Sequence, residues 1–198
     1  MDDPKMKNFD LKTLREIGNI GAGHAASALA GMINKKVMMD VCHVALVTIR
    51  DMAGILNHQH GEVLDVQLGF SGDINGSGYY LMSKGAAWEL MGMLRDHSQG
   101  GDKVFDGHHL TAFKECGGIL LSSYLKAISS LCKFFLVIAA SHSAHNMDFV
   151  SNLLFGHHTA DERVFCTETV FIEGENRVKV CFCLILDNRS LEVMFKGV

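Results

Sequence analysis

Glu16 and Asn19 stand three residues apart in the stretch REIGNIGAGHAASAL, residues 15–29. On a helix this spacing puts both on one face. A carboxylate there can pair with a Lys or Arg. A carboxamide can donate and accept a hydrogen bond at once, which is what holding a water molecule in one orientation requires. The same two residue types also make an ordinary solvated helix face, and spacing alone does not separate the readings. A second stretch, KECGGILLSSYLKAI at residues 114–128, keeps the acid as Glu115 but has Gly118 where the first has Asn19. Glycine has no side chain with which to hold water, so this second site is expected to be inactive or weakened.

Both stretches must be helices for the pairs to form. In the first, Asp10 is a plausible N-cap, and Leu14, Ile17, Gly21, Ala25, Ala28 and Met32 follow at helical spacing. In the second, Asp106 precedes a stripe of Leu110, Phe113, Gly117, Leu120, Tyr124, Ala127 and Leu131. Gly18, Gly21, Gly23 and Gly31 run against helix formation, at roughly 1 kcal/mol each relative to Ala. Something therefore approaches this helix closely. Gly21 lies on the apolar stripe and reads as internal packing, whereas Gly18 and Gly23 read as room for a partner. The order GNIGAGH lacks the Lys-Ser/Thr of a phosphate loop and has no strand before it, so nucleotide binding is not expected.

Shifting the sequence by 99 residues places Glu16 on Glu115 and Gly18 on Gly117, and the later elements follow in the same order. Each half reads as long helix, three strands, short helix. Strands are expected at 41–49, 62–70, 76–82, 133–140, 163–172 and 177–186, and short helices over 86–95 and 185–195. Asn75-Gly76 predicts a tight turn with positive φ at both positions. Residues 146–155 read as an extra short helix or an irregular insert, and 95–107 as the link between halves. The short turns at 71–75 and 173–176 leave no room for a parallel crossover. The expected class is α+β: one domain of two pseudo-symmetric α-β-β-β-α repeats, about 8–98 and 107–196, with largely antiparallel strands and the long helices packed on one side.

The composition narrows the partners. Charged residues are 20% of the 198, the net charge is −4 and no basic tract occurs, so neither nucleic acid nor an anionic membrane is expected. No apolar run reaches about 18 residues and the first residues, MDDPKMKNFD, do not resemble a secretory signal. A cytoplasmic location with reduced thiols fits the six cysteines. Cys181 and Cys183 alternate in an apolar run and read as small buried side chains. The 11 histidines include the pairs His108-His109 and His157-His158, and His142 with His145, but no HExxH or CxxC accompanies them, so no intrinsic metal or cofactor is expected.

Residues 14–41, LREIGNIGAGHAASALAGMINKKVMMDV, closely resemble the first signature helix and following strand of the CheC/CheX/FliY family of bacterial chemotaxis phosphatases. FKECGGILLSSYLKAIS, residues 113–129, resembles the second. The resemblance implies hydrolysis of the aspartyl phosphate on a CheY-like response regulator. Glu16 and Asn19 match the family's catalytic pair, with Asn19 orienting the attacking water and Glu16 contacting the regulator's lysine. Mg²⁺ is implied in the regulator, not in this chain. Glu115 and Gly118 match a degenerate second site. Where the family usually has Asp or Ser four residues before the acid, this chain has Lys12 and Thr111; it has Cys42 for a common proline and His24 for a frequent Asn. The alternative is a weak or inactive binding module for the phosphorylated regulator or for a CheD-like deamidase. The deamidase surface would match residues 86–95, with Trp88 either an exposed anchor or a core side chain. A flagellar-switch role is less expected, because the FliY branch carries extra motor-binding sequence.

Overall fold

The computed structural model describes residues 10–56, 63–94, 107–139, 142–146, 159 and 161–196, with the backbone alone at 53–56 and 142–146. The helices are α1 (Leu11–Ile33), α2 (Ile49–Leu56), α3 (Lys84–Leu94), α4 (Gly107–Cys132) and α5 (Asn188–Lys196). The strands are β1 (Met38–Thr48), β2 (Val63–Gly72), β3 (Gly76–Ser83), β4 (Leu136–Ile138), β5 (His142–Asn146), β6 (Arg163–Glu173) and β7 (Asn176–Leu186). They form one antiparallel sheet in the order β1-β6-β7-β3-β2-β4, with β5 continuing beyond β4 along β2.

That order interlocks the halves. Among the described residues β1 pairs only with β6, and β4 and β5 only with β2, so each half lends its first strand to the other. The ends of the long helices also match at the shift of 99 residues. Asn34 and Lys133 both adopt left-handed φ, 51° and 57°. Behind them Lys35 N donates to Ala30 O and Phe134 N to Ser129 O, each at 3.2 Å. A left-handed residue here lets the chain turn off the helix while its last carbonyls stay bonded. At the other end of α1, Asp10 caps as expected, its carboxylate accepting from Lys12 N at 3.1 Å.

Alternation along the strands divides the apolar residues between two faces. Leu64, Val66, Leu68, Tyr80, Met82, Phe165, Phe182 and Leu184 face a large core completed by α1, α3, α4 and α5. Tyr79, Leu81, Val164, Cys166, Cys181, Cys183 and Ile185 face the other way, against Ile49 and Met52 of α2. The long helices therefore do share one side, but a short helix covers part of the second side. Strand β1 keeps its inner face by a bulge: Val41 lies opposite Thr169 and His43 opposite Glu168, leaving Cys42 unpaired. Met39 and Val41 before the bulge, and Val44 and Leu46 after it, then all reach the large core.

Three expectations need correction. Of the strand expected over 133–140 the structure shows β4 at Leu136–Ile138, and neither β5, at His142–Asn146, nor α2 was expected at all. The β2–β3 connection is not a two-residue Asn75-Gly76 turn; positive φ falls on Gly72, at 143°. Tertiary bonds dictate this loop. Asp73 exchanges two hydrogen bonds with the backbone of Phe135, Asn75 N donates to Ser190 Oγ at 2.9 Å, and Ile74 is buried. The link at 95–107 lies outside the described residues except for Gly107, and the insert at 146–155 except for the backbone of Asn146.

Helix α1 approaches α4 closely at Gly21. A Cβ there would lie 2.6 Å from the ring of Tyr124. That ring cannot swing aside: it stacks on Phe182 at 4.4 Å and 3°, and its hydroxyl bonds Thr167 Oγ1 at 2.8 Å. At Gly31 an added Cβ would meet nothing within 4 Å. Gly21→Ala is therefore expected to lose about 1–3 kcal/mol from overpacking. Gly31→Ala is expected to gain up to about 1 kcal/mol from helix propensity alone. Urea denaturation of the two variants and the parent measures the difference.

Candidate functional site

Helix α4 and strands β1 and β6 bury one side of α1, through Leu14, Ile17, Gly18, Gly21, Ala22, Ala25, Ala26 and Leu29. The opposite side carries Lys12, Arg15, Glu16 and Asn19, all at least partly exposed. Together with Leu11 and Ile20 these residues line one open groove of about 510 Å³. Among the described residues none of the four polar side chains has a hydrogen-bond or ion-pair partner within the chain. The carboxylate and the carboxamide thus share one face, as their spacing requires, with their bonding capacity unused. Two cations flank them, and only Lys12 was singled out from the sequence.

The glycines sort into two groups. A Cβ on Gly18 would meet Thr167 Oγ1 and Val44 Cγ2 at 3.0 Å, so Gly18 is there to seat α1 on the sheet. This corrects its expected place on a partner surface: it is buried under the strands. Gly23 is half-buried, and only Met39 Cε, at 3.8 Å, comes near. Internal packing does not explain it, and it stays on the accessible side, one turn beyond Asn19.

On α4 the counterpart face presents Glu115 and Ile119 to solvent, with Gly118 half-buried between their turns. Thr111, one turn earlier, donates its hydroxyl to Gly107 O at 2.9 Å and so is bound into its own helix. Beneath, Gly117 repeats the close approach of Gly18: its Cβ would lie 2.8 Å from Val66 of β2 and 2.9 Å from Tyr80 of β3. The backbone of the second site is as closely seated as that of the first, but it offers an acid without an amide.

Trp88 is neither fully exposed nor in the core. It is half-buried on α3, its ring 5.1 Å from that of His109 on α4. The residues that sequence reasoning missed are supports. Thr167 holds the Tyr124 hydroxyl and floors Gly18; its only signal was a hydroxyl amid the apolar residues of β6. Among the described residues no group of three or more His, Cys, Asp or Glu is arranged to hold a metal ion. No described helix is long and apolar enough to cross a membrane.

Comparison with known proteins bears on the same segment. Residues 11–41, which span α1 and the start of β1, match the CheC-like family. Over 130 residues the chain is 32% identical to the CheY-P phosphatase CheC of Bacillus subtilis, covering 65% of this chain and 62% of that one. The chain thus spans about three fifths of that relative's length. In fold it is similar to Thermotoga maritima FliY, with a TM-score of 0.75 at 16% identity over 96% of this chain and 97% of that one. It is also similar to a chain of the CheX–CheY–BeF3–Mg²⁺ complex from Borrelia burgdorferi, with a TM-score of 0.54 at 15% identity over 86% and 97%. The matched signature coincides with the helix bearing Glu16 and Asn19, and the chain is similar to CheC-like proteins in that segment and in fold.

Proposed function

We propose that the chain hydrolyses the aspartyl phosphate of a CheY-like response regulator, with one active centre on α1. The observation that carries this reading is the Glu16–Asn19 pair, without a partner among the described residues and exposed in a groove on the segment that matches the family. The B. subtilis relative is a CheY-P phosphatase, and a CheX is known in complex with CheY, beryllofluoride and Mg²⁺. In the proposed reaction Asn19 enters the regulator's site and fixes a water in line with the phosphorus. The water oxygen bonds phosphorus as the bond to the aspartyl oxygen breaks, and the carboxylate leaves with that electron pair. Fixing the water in advance removes part of the entropic barrier. Glu16 pairs with the regulator's lysine and sets the orientation of the two surfaces. The partner supplies the Mg²⁺ that neutralises the phosphoryl oxygens.

We infer further that the two halves arose by duplication, and that α4 retains the acid but has lost the amide. The second reading is a docking module without turnover, for the phosphorylated regulator or for a CheD-like deamidase meeting α3 near Trp88. Gly118, and the cation Lys12 at the rim of the groove, favour it. Acceleration separates the two readings.

With Mg²⁺ and a phosphorylated regulator in excess, substoichiometric protein is expected to speed phosphate loss through many turnovers. Asn19→Ala is expected to slow the step at saturation by about 10²-fold, the scale for a misplaced reactant. Its binding should weaken by no more than about tenfold, the worth of one hydrogen bond. Binding without acceleration by the parent protein would establish the docking module instead.

The two acids should differ. Glu16→Ala is expected to raise the half-saturating regulator concentration by about tenfold or more, as loss of a charged contact does, with a smaller effect on the saturated rate. Glu115→Ala should leave both parameters unchanged. Equal losses at Glu16 and Glu115 would show that both helices dock the regulator.

A further inference from the structure

On the sheet face turned away from α1 and α4, three thiols meet that the proposed reaction does not use. Cys166 Sγ on β6 lies 3.4 Å from Cys183 Sγ on β7, and Cys181 Sγ lies 3.5 Å from Cys183 Sγ. Cys166 and Cys183 are directly opposite in the antiparallel register. All three are free thiols, none more than 1% exposed. Their surroundings are apolar: Ile49 and Met52 of α2, Tyr79, Leu81, Val164 and Ile185.

Packing of small side chains explains burial but not three sulfurs around one contact. The contact has a chemical consequence. Its place among the neighbouring thiols Cys181 and Cys183 draws the Cys166 thiol down to about 5, while burial pushes the separate thiols Cys116 and Cys132 up to about 12. A thiolate is the reactive form of cysteine. The chain's readiest buried thiolate therefore sits opposite a second thiol on the neighbouring strand. The element above it is small: α2 is a helix of eight residues, and among the described side chains it sets Ile49 and Met52 against this cluster. Local opening of so small an element admits a small oxidant without unfolding the sheet.

We propose that Cys166 and Cys183 are a modification site, closing to a reversible cross-strand disulfide when the protein meets a peroxide. The Cys166 thiolate attacks one peroxide oxygen, the O–O bond breaks, and the departing hydroxide takes up a proton as water. The Cys183 sulfur then attacks the resulting sulfenic sulfur; the S–O bond breaks, a second water leaves and the S–S bond forms. Two thiols are oxidised and one peroxide is reduced to two waters. The sulfurs must close from 3.4 Å to the bonded distance of about 2.05 Å. The movement reaches the other face, because Thr167 and Phe182, the chain neighbours of Cys166 and Cys183, are the residues that hold Tyr124.

The test uses the full chain carrying Cys42→Ser, which removes the exposed thiol. The protein is treated with hydrogen peroxide, quenched, alkylated in denaturant and digested with trypsin. Cleavage after Arg163, Arg177, Lys179 and Arg189 puts Cys166 on peptide 164–177 and Cys181 with Cys183 on peptide 180–189. The expected result is a fall from five alkylatable thiols to three and a disulfide-linked pair of these two peptides, undone by dithiothreitol. The linked pair should persist in Cys181→Ala and vanish in Cys183→Ala. If a variant fails to fold, fragmentation of the linked parent peptides between Cys181 and Cys183 decides without any core substitution, and a bridge from Cys166 to Cys181 would overturn the proposal. No linked pair, a closed 181–183 bridge within one peptide, or a linkage that survives Cys183→Ala would overturn the proposal.

Discussion

The contact of Tyr124 with Gly21 fixes the geometry on which the candidate site depends. A tyrosine ring in van der Waals contact with a helix backbone allows almost no play. The ring is held on its far side by stacking on Phe182 and at its tip by the 2.8 Å bond to Thr167. Thr167 in turn floors Gly18. One aromatic residue of α4 thus joins both long helices to β6 and β7. The hydroxyl must be paired there, since a buried polar group without a partner costs about 1–3 kcal/mol. On the other side of the core, Tyr80 lies under Gly117 and its hydroxyl has no partner among the described residues. The seat of α1 is therefore the better bonded of the two.

This matters because the functional face is the back of the same helix. Glu16 and Asn19 are exposed and have no internal partner among the described residues, so it is their backbone on α1 that positions them. An amide that must place a water on a phosphorus carried by another protein is useful only if its helix does not shift when the surfaces meet. Gly18, which read as room for a partner, serves this rigidity together with Gly21: they bring α1 down onto sheet and helix, while Gly23 is left on the accessible side.

Much of this was legible in the sequence, for local reasons. The stripes Leu14–Ile17–Gly21–Ala25 and Phe113–Gly117–Leu120–Tyr124 mark the buried sides of α1 and α4, and Asp10 marks a helix start by its capping chemistry. The Glu16–Asn19 pair followed from helix spacing and one motif. What was not legible depends on contacts distant in sequence. The loop after β2 takes its shape from bonds to Phe135 and Ser190, so Asn75-Gly76 misled. Helix α2 begins with β-branched Ile49 after an apolar strand, and its cap is a side-chain exchange between Thr48 and Asp51 that composition does not announce. Gly18 could be assigned to the interior only once Thr167 and Val44 were seen beneath it.

The halves present similar backbones with dissimilar chemistry, and the proposed function rests on that asymmetry. The most direct measurement is the stoichiometry of the complex, by calorimetric titration with a CheY-like regulator held in its phosphorylated form by beryllofluoride and Mg²⁺. The proposal predicts one regulator per chain, with binding lost in Glu16→Lys and kept in Glu115→Lys. Two regulators per chain, or a single one displaced by Glu115→Lys instead, would contradict a single centre on α1.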